Sequence, residues 1–250
     1  MRRQDGERMS RLFVLGIDVE PTTVAPAEPG YPAGLEVLQR PPVLFALGNV
    51  ALLNRPCVGI CGSRSATGQA ISHAAEFGSV AAERGFVVVS GYARGVDVAA
   101  HLGAMEAGGA TIAVLAEGTD HFGIRRELRQ RTSPTNLLAI STFAPETRWS
   151  AWRAMERNRY IVALSRGLFV IEARERGGTF EAGLECLRQR KPLWVIEYPN
   201  GGSRRKGNTE LILKGGIPVK GRNNLRSILE DAWLRAPPRQ AWLAVSLSED

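Results

Sequence analysis

The sequence predicts an α/β domain built on a doubly wound, mostly parallel sheet. Short runs of apolar and β-branched residues alternate with longer segments whose small and apolar residues recur at helical spacing. This alternation is typical of βαβ units, in which helices connect parallel strands across the faces of a sheet. The predicted strands are 57–61, 86–90, 111–115, 137–141, 167–173 and 192–197, and the clearest predicted helices, both ending in glycine, are 68–85 and 96–109.

Three segments are predicted along the 250 residues. Residues 1–30 are predicted to form an N-terminal arm or linker, because the three prolines and one glycine of 21–30 disfavour a helix or a central strand. Residues 31–235 form the predicted domain, and 236–250 a C-terminal tail. With 44% hydrophobic residues, the chain has enough apolar side chains for one substantial core.

The sequence carries no apolar run long enough to span a membrane and no secretory signal pattern at its start, so we expect a cytoplasmic protein. Cys57, Cys61 and Cys186 lie in or near apolar runs and lack the spacing of a disulfide framework or a zinc site. They are predicted to be buried, reduced thiols. No dinucleotide-binding or Walker A motif is present, and we expect neither a cofactor nor a metal.

The charge balance favours an anionic partner. The formal net charge is +7 and the isoelectric point is about 9.8, although ordinary enzymes can carry a similar excess. One stretch has a local charge of +6, with Glu210 as its single acid, and either extends an anion-binding surface or is a solvated loop. Its basic residues are Arg204, Arg205, Lys206, Lys214, Lys220, Arg222 and Arg226.

A first candidate loop, 62–68, follows the first predicted strand and leads into the first predicted helix. Glycines let a backbone approach an anion closely, and the amides at a helix N-terminus attract negative charge. Arg64 can contact the same phosphate with two N–H groups. Gly62, Ser63 and Arg64 are therefore candidate phosphate ligands, with a purely structural turn as the alternative.

A second loop of small residues, 90–95, joins the second predicted strand to the next helix, and its candidate phosphate ligands are Ser90, Gly91, Arg94 and Gly95. Two such loops on neighbouring strands predict one shared anion pocket. Asp97 lies in the first helical turn and is placed to orient a guanidinium. His101 is predicted to hold the loop against the helix rather than to act as a general base.

A third candidate group precedes the fifth predicted strand and consists of Arg157, Asn158 and Arg159. These side chains either contact phosphates or anchor a helix end. Upstream, two arginines alternate with two tryptophans, a composition that suits single-stranded nucleic acid because bases stack on rings while phosphates meet the charges. Packing of the tryptophans in the core is the alternative. The four residues are Arg148, Trp149, Trp152 and Arg153.

Taken in chain order, these segments resemble the DprA/Smf family of DNA-processing proteins, over roughly residues 31–229. The stretch from Ser90 to His101 matches the family's SGxARGIDxxAH signature. The other matching segments are Tyr31 to Leu35 (YPxxL), Pro42 to Gly48 (PPxLF…G), Gly62 to Arg64 (GxR), Thr111 to Leu115 (TIAVL), Arg157 to Ser165 (RNRIIAGLS) and Gly207 to Val219 (GTNxLIxxGAxPV).

The resemblance implies an extended Rossmann-like fold without catalytic activity. It also implies binding and protection of incoming single-stranded DNA, assistance in loading a RecA-type recombinase during natural transformation, and a homodimer. By carry-over, Arg64, Arg94, Arg157 and Arg159 are candidates for phosphate contact, and the glycines at 62, 91 and 95 permit close approach.

The sequence departs from the family pattern at three places. Ser141-Thr142 stands where relatives carry serine-glutamate, the first loop is shorter than usual, and the serine-glycine-serine before the late helix is replaced within 176–181. Many relatives also carry an N-terminal helical domain and a C-terminal winged-helix domain, and we expect neither here. Recombinase loading is accordingly a weaker expectation than DNA binding.

Two other functions remain open. The segment 177–181 has a faint similarity to the PGGxGTxxE loop of nucleoside monophosphate phosphoribohydrolases, in which the glutamate assists cleavage of an N-glycosidic bond. Glu181 is the corresponding residue, and a carboxylate at a helix start is also simply favourable for the helix dipole. The third hypothesis is a nucleotide-sensing module, because the same pocket suits a small phosphorylated ligand.

Overall fold

A computed structural model of the protein describes the backbone of residues 12–14 and 17–19, and describes residues 21–199, 202–220 and 225–230 in full. The strands of these ranges are, in chain order, β1 (Leu12–Val14), β2 (Ile17–Val19), β3 (Thr22–Val24), β4 (Leu44–Gly48), β5 (Cys57–Cys61), β6 (Val87–Ser90), β7 (Thr111–Val114), β8 (Leu137–Ser141), β9 (Leu168–Val170), β10 (Leu193–Ile196) and β11 (Ile217–Val219).

Nine of these strands form one sheet in the order β11-β10-β9-β5-β6-β7-β8-β4-β3, while β1 and β2 pair separately as an antiparallel ribbon. The seven strands from β11 to β8 are all parallel, and β4 pairs antiparallel with both β8 and β3. The prediction of a mostly parallel sheet is confirmed, as are all six predicted strands.

Helices cover both faces of the sheet, as expected for a doubly wound fold. Side chains of α2 and α3 pack on one face, and side chains of α5, α6 and α7 pack on the other. A further helical turn spans 225–230. The helices are α1 (Ala33–Glu36), α2 (Gly68–Glu83), α3 (Val96–Glu106), α4 (Ala151–Glu156), α5 (Asn158–Leu164), α6 (Gly178–Arg188) and α7 (Lys206–Leu213).

Three strands of the sheet were not predicted: β3, β4 and β11. Pro218 lies inside β11, and β3 lies between prolines, both at sheet edges, where a missing N–H is tolerated. The segment predicted to be an N-terminal arm therefore contributes an edge strand. The predicted tail, 236–250, lies outside the described residues, and the domain division remains a prediction.

The sheet has a topological switch point at β5. From β5 the chain moves through β6, β7 and β8 in one direction, whereas β9, β10 and β11 follow one another in the other direction. The connections that leave β5 and β9 therefore separate, and their loops border a crevice at the carboxyl edge of the sheet. Open α/β sheets bind ligands at this point.

Asn208 fastens the carboxyl ends of β9 and β10 together. Its buried side chain donates hydrogen bonds to the carbonyl oxygens of Ile171 and Ile196, each over 2.9 Å, and accepts one from the backbone N–H of Ala173 over 2.7 Å. All the amide's polar atoms are thereby used in holding neighbouring backbone segments.

In the described part of the chain, no helix combines the length and apolar character of a membrane span.

The three cysteines are buried and free, as predicted. Burial raises the pKa of Cys57 and of Cys186 to about 12, and raises the pKa of Cys61 as well. The thiolate is the reactive form of cysteine, and at neutral pH these groups stay protonated.

We expect none of the three cysteines to react with a chromogenic disulfide reagent in the native protein and all three to react after denaturation. Stoichiometric, rapid labelling of the folded protein would contradict the buried positions.

Candidate functional site

Two adjoining cavities of about 360 and 610 Å³ open at the carboxyl edge of the sheet. The first lies between the loops after β5 and β9, and the second lies against the loop after β6. Both are lined by Arg64, Ser65, Ala93 and Arg157, so the two form one continuous groove. The two loops therefore border one cavity system, as predicted, and its use as an anion pocket stays a prediction.

Arg64 stands at the wall between the two cavities and is exposed. Its guanidinium carbon lies 5.3 Å from the ring centroid of Trp149, a cation–π contact that orients both side chains. Trp149 is 49% exposed and Trp152 is 53% exposed, which shows that neither is a core residue. Arg153 contacts Trp152 in the same manner, with 4.9 Å to the centroid. Of these four side chains, Arg64 and Trp149 line the groove, whereas Trp152 and Arg153 line neither cavity.

Arg94 is exposed and lines the second cavity, on a turn that Arg125 holds in place. The Arg125 guanidinium donates two hydrogen bonds, of 3.1 and 2.9 Å, to the carbonyl oxygen of Tyr92. Tyr92 has a φ of +60°, a left-handed conformation that needs such support in a residue other than glycine. Its hydroxyl also accepts from the N–H of Arg125 and donates to the carbonyl of Gly123. Sequence inspection missed Arg125, since it lies far from the motifs.

Arg157 differs from the other groove arginines because it is buried. It lines both cavities at the junction of α4 and α5, with a terminal guanidinium nitrogen 3.9 Å from a carboxylate oxygen of Asp97. Its Nε and Nη1 atoms have no hydrogen-bond partner among the described residues. Burial raises the pKa of Asp97, and the positive charge of Arg157 opposes that rise. The predicted orientation of a guanidinium by Asp97 matches this pair.

The three loop glycines allow close packing within the protein. A Cβ at Gly91 would overlap the Arg157 guanidinium, and a Cβ at Gly62 would overlap the side chain of Val96. Gly95 has a φ of +81°, and a Cβ there would overlap the carbonyl oxygen of Ser63. Each glycine thus permits a close internal contact, and Gly62 and Gly91 also line the cavities, so their role in ligand approach stays a prediction.

An internal carboxylate occupies the N-terminus of α2, where the sequence pattern predicted an external phosphate. Glu172 is buried and accepts hydrogen bonds from the N–H and the hydroxyl of Thr67, over 3.3 and 2.8 Å. Arg205 lies 3.6 Å from the same carboxylate and stacks over the ring of Tyr198. The helix dipole is thereby neutralised by the protein itself.

The N-terminus of α6 opens into the first cavity instead. Its N-cap residue, Gly177, has a φ of +122° and provides no side-chain cap, and 177–180 line the cavity. Asn158 donates from its side chain to the carbonyl of Gly178 over 2.9 Å and so fixes this turn. Arg174 and Arg176, both exposed, line the same cavity. Their position directly after a predicted strand was the signal that sequence inspection did not use.

Three predicted ligands line neither cavity: Gly95, described above, together with Ser90 and Arg159. The Ser90 hydroxyl is buried and donates to the carbonyl of Ile60 over 2.6 Å. Arg159 stacks on Tyr160 and pairs with Glu156 at 3.5 Å, and it lines neither cavity. These two residues support the fold around the site, whereas Arg64 and Arg94 border the groove itself.

His101 has a structural role, but its hydrogen bond holds α3 against strand β7 and not against the loop as predicted. Its Nδ1 lies within hydrogen-bonding distance of the Thr111 hydroxyl, which itself donates to the carbonyl of Val88 over 2.7 Å. The threonine proton is therefore used, and Nδ1–H is the donor. Burial, reinforced by the positive charges of Arg157 and Arg125, lowers the pKa of His101 to about 3. A neutral imidazole thus joins α3 to the sheet.

The basic stretch from Arg204 to Arg226 does not form one surface. Arg204 donates to the carbonyl of Ser65 over 2.9 Å, which places the start of the stretch beside the first loop. Lys220 and Arg226 pair instead with glutamates, at 3.3 and 3.7 Å. Arg222 lies outside the described residues.

Fold and groove together define a doubly wound α/β protein with a cationic, aromatic-edged groove at the switch point of its sheet. The chain belongs to the DNA recombination-mediator protein A family, whose model matches residues 22–230. It is 31% identical over 195 residues to DNA processing protein DprA of Bacillus subtilis, covering 76% of this chain and 65% of that protein. It is 37% identical over 168 residues to DprA of Streptococcus pneumoniae, covering 66% of this chain and 59% of the relative.

The chain therefore spans about three-fifths of the length of these curated relatives. Among solved structures, DprA from Streptococcus pneumoniae aligns with a TM-score of 0.75 at 29% identity, covering 82% of this chain and 73% of that one. DprA from Helicobacter pylori, a structure described for its single-stranded DNA binding mode, aligns with a TM-score of 0.73 at 25% identity, covering 84% and 96%. The resemblance to the DprA/Smf family and the extended Rossmann-like fold are confirmed.

Replacing Gly91 by alanine tests the packing of the loop on Arg157. The added Cβ overlaps the guanidinium, and we expect a loss of about 1–3 kcal/mol in the free energy of unfolding, as for other overpacked sites. Gly68→Ala is the matched control, because a Cβ at that first residue of α2 meets nothing within 4 Å. Urea unfolding should show the control within about 1 kcal/mol of the parent, on the stabilising side. Equal stability of both variants would contradict the packing.

The buried His101 predicts a pH-dependent stability. Its pKa falls from 6.5 in the unfolded chain to about 3 in the fold, so the unfolded state binds more protons in this range. The contribution of the neutral His101 to the free energy of unfolding is complete above about pH 6.5 and decreases as the pH falls toward 3. Relative to His101→Gln, the parent should lose up to about 1.4 kcal/mol more per pH unit across this window. Parallel stability curves for the two proteins, measured by denaturant unfolding, would refute the assignment.

Proposed function

We propose that the groove binds the sugar–phosphate backbone of single-stranded DNA. The observation that carries this proposal is the pairing of Arg64 with exposed Trp149 on the wall shared by the two cavities. A charged group beside an exposed ring matches a nucleotide, which has a phosphate and a flat base. The alignment with the Helicobacter pylori protein, described as binding single-stranded DNA, supports the same ligand.

Each group of the groove has a distinct part in this binding. Arg64, Arg94 and Arg174 are exposed and present guanidinium groups to phosphates. Trp149, which lines the second cavity, offers a face on which a base stacks without sequence preference. Arg157, with Asp97 as its nearest carboxylate, contributes positive potential from below the groove rather than an exposed contact. Backbone contacts combined with stacking account for strand binding that tolerates any base sequence.

Similarity to the family supports a proposal for the wider role of the protein. We infer a DNA-processing protein that protects incoming single strands and assists loading of a RecA-type recombinase during natural transformation, as a cytoplasmic homodimer without catalytic activity. The similarity to DprA and Smf proteins supports this role, and the exposed side chains of Leu213 and Ile217 at the β11 edge offer apolar area for a second copy.

A nucleotide-sensing function is the second candidate. The first cavity has a volume of about 360 Å³, and the uncapped N-terminus of α6 opens into it, an arrangement that suits one phosphorylated ligand. The phosphoribohydrolase hypothesis has less support, because Glu181 is exposed and lines neither cavity.

Salt-dependent binding of a labelled oligothymidylate tests the proposal. Arg64→Ala should weaken binding and lower the salt slope by about 0.7, the contribution of one phosphate contact on a single strand. Trp149→Ala should reduce affinity by about 1–3 kcal/mol with little change in slope, because stacking is lost and charge is retained. Arg188→Ala, at the opposite end of α6, is the control and should bind like the parent.

Two results would contradict strand binding. One is an Arg64→Ala variant with the affinity and the salt slope of the parent. The other is a mononucleotide that binds as tightly as the oligonucleotide and displaces it completely, which would favour the sensing function.

A further inference from the structure

An arginine-rich turn follows the second cavity along the chain. Between residues 123 and 132 the sequence has four arginines and a single acid, Glu127, a local charge of +3. The first of the four, Arg125, lines the second cavity and clamps Tyr92. The other three, Arg126, Arg129 and Arg131, are exposed. We call the segment 125–131, which presents these three side chains, the arginine turn.

The backbone of this segment is firmly anchored. The N–H of Leu128 donates to the carbonyl of Arg125 and the N–H of Arg131 donates to the carbonyl of Leu128, each over 3.0 Å, so two turns follow one another. Leu128 is fully buried in an apolar cluster that includes Tyr92 and Phe122. The Thr132 hydroxyl closes the second turn by donating to the carbonyl of Leu128 over 2.9 Å. A fixed scaffold therefore presents the three exposed guanidinium groups.

The charges of the arginine turn are not neutralised within the protein. Across the described ranges, none of Arg126, Arg129 and Arg131 forms an ion pair, and the hydrogen bond of the Arg129 Nε atom goes to a carbonyl, that of Ile124. Other surface arginines are paired, such as Arg188 with Glu185 at 2.8 Å. A group of unpaired cations attracts a polyanion strongly, because the protein does not have to break an internal ion pair when it binds.

The arginine turn is also continuous with the groove. Each of its two turns separates its first and last Cα atoms by less than about 7 Å, which places the Cα of Arg131 within about 14 Å of the Cα of Arg125. The segment connects β7 to β8, and so leads from the carboxyl edge of the sheet across the face that α3 covers. The three arginines therefore lie close to the end of the second cavity that Arg125 lines.

We propose that the arginine turn is a second DNA contact surface, which binds the backbone of the nucleotides that flank those held in the groove. This inference rests on the proposed function of the groove and extends the length of strand that the protein holds. It predicts that affinity depends on oligonucleotide length beyond what the groove accommodates, and that the additional part of the affinity is electrostatic.

The test compares oligothymidylates of about 8 and about 24 bases, below and above the span of one compact binding groove. The triple variant Arg126→Ala/Arg129→Ala/Arg131→Ala should bind the short strand like the parent. It should bind the long strand roughly tenfold more weakly, with a salt slope lowered by about 2, at about 0.7 per lost phosphate contact. The matched control, Arg188→Ala/Arg190→Ala/Lys214→Ala, removes the same charge near the C-terminal ends of α6 and α7 and should leave both affinities unchanged. Circular dichroism verifies that each variant is folded.

Several outcomes overturn the inference while leaving the groove proposal in place. Equal weakening of the short and long strands would place the three arginines in the groove site. Long-strand binding by the triple variant that equals that of the control would show a solvated face or a surface for an acidic protein. If the triple variant lost affinity only for a duplex competitor, the arginine turn would be assigned to double-stranded DNA. A parent protein that binds neither strand with salt dependence would instead refute the proposed function, and the inference with it.

Discussion

The burial of Arg157 beneath Gly91 is the constraint on which the site depends. A guanidinium removed from water loses several kcal/mol of solvation unless other groups compensate, and Asp97, at 3.9 Å, provides charge neutralisation without a close hydrogen bond. Only a glycine leaves space for the guanidinium under the loop after β6. A single side chain therefore holds together the loop after β6, the start of α3 and the junction of α4 and α5.

This arrangement divides the arginines of the groove into two groups with different physical roles. Arg157 is enclosed by protein and acts through packing and through its field, which also helps to keep His101 neutral. Arg64 and Arg94 remain in solvent, where a charge retains its hydration until a phosphate displaces water. In the proposed binding mode, a phosphate meets exposed side chains that are supported by a rigid base. Such preorganisation reduces the ordering that binding requires.

The two helix N-termini that flank the first cavity are also used differently. At α2 the dipole is satisfied by Glu172, which in turn fixes Arg205 and the start of α7. At α6 the glycine cap leaves the amides without a side-chain partner. The same physical device, a helix terminus after a parallel strand, stabilises the fold in one case and is available to a ligand in the other. Sequence pattern alone does not distinguish these two uses, because Glu172 is 105 residues from Thr67, the N-cap of α2.

The sequence by itself determined the fold class, the six principal strands, the buried thiols and the loops that border the groove, because all of these depend on local periodicity and on short-range motifs. It could not place β4, which pairs with the distant strand β8, or β11, which contains Pro218. Tertiary structure alone decided which arginines are exposed. Arg94, Arg157 and Arg159 are all candidate phosphate ligands in the sequence. In the structure, Arg94 borders the groove, Arg157 is buried under it and Arg159 pairs with Glu156. Burial and ion pairing are set by neighbours brought together from distant parts of the chain, and no local pattern contains that information.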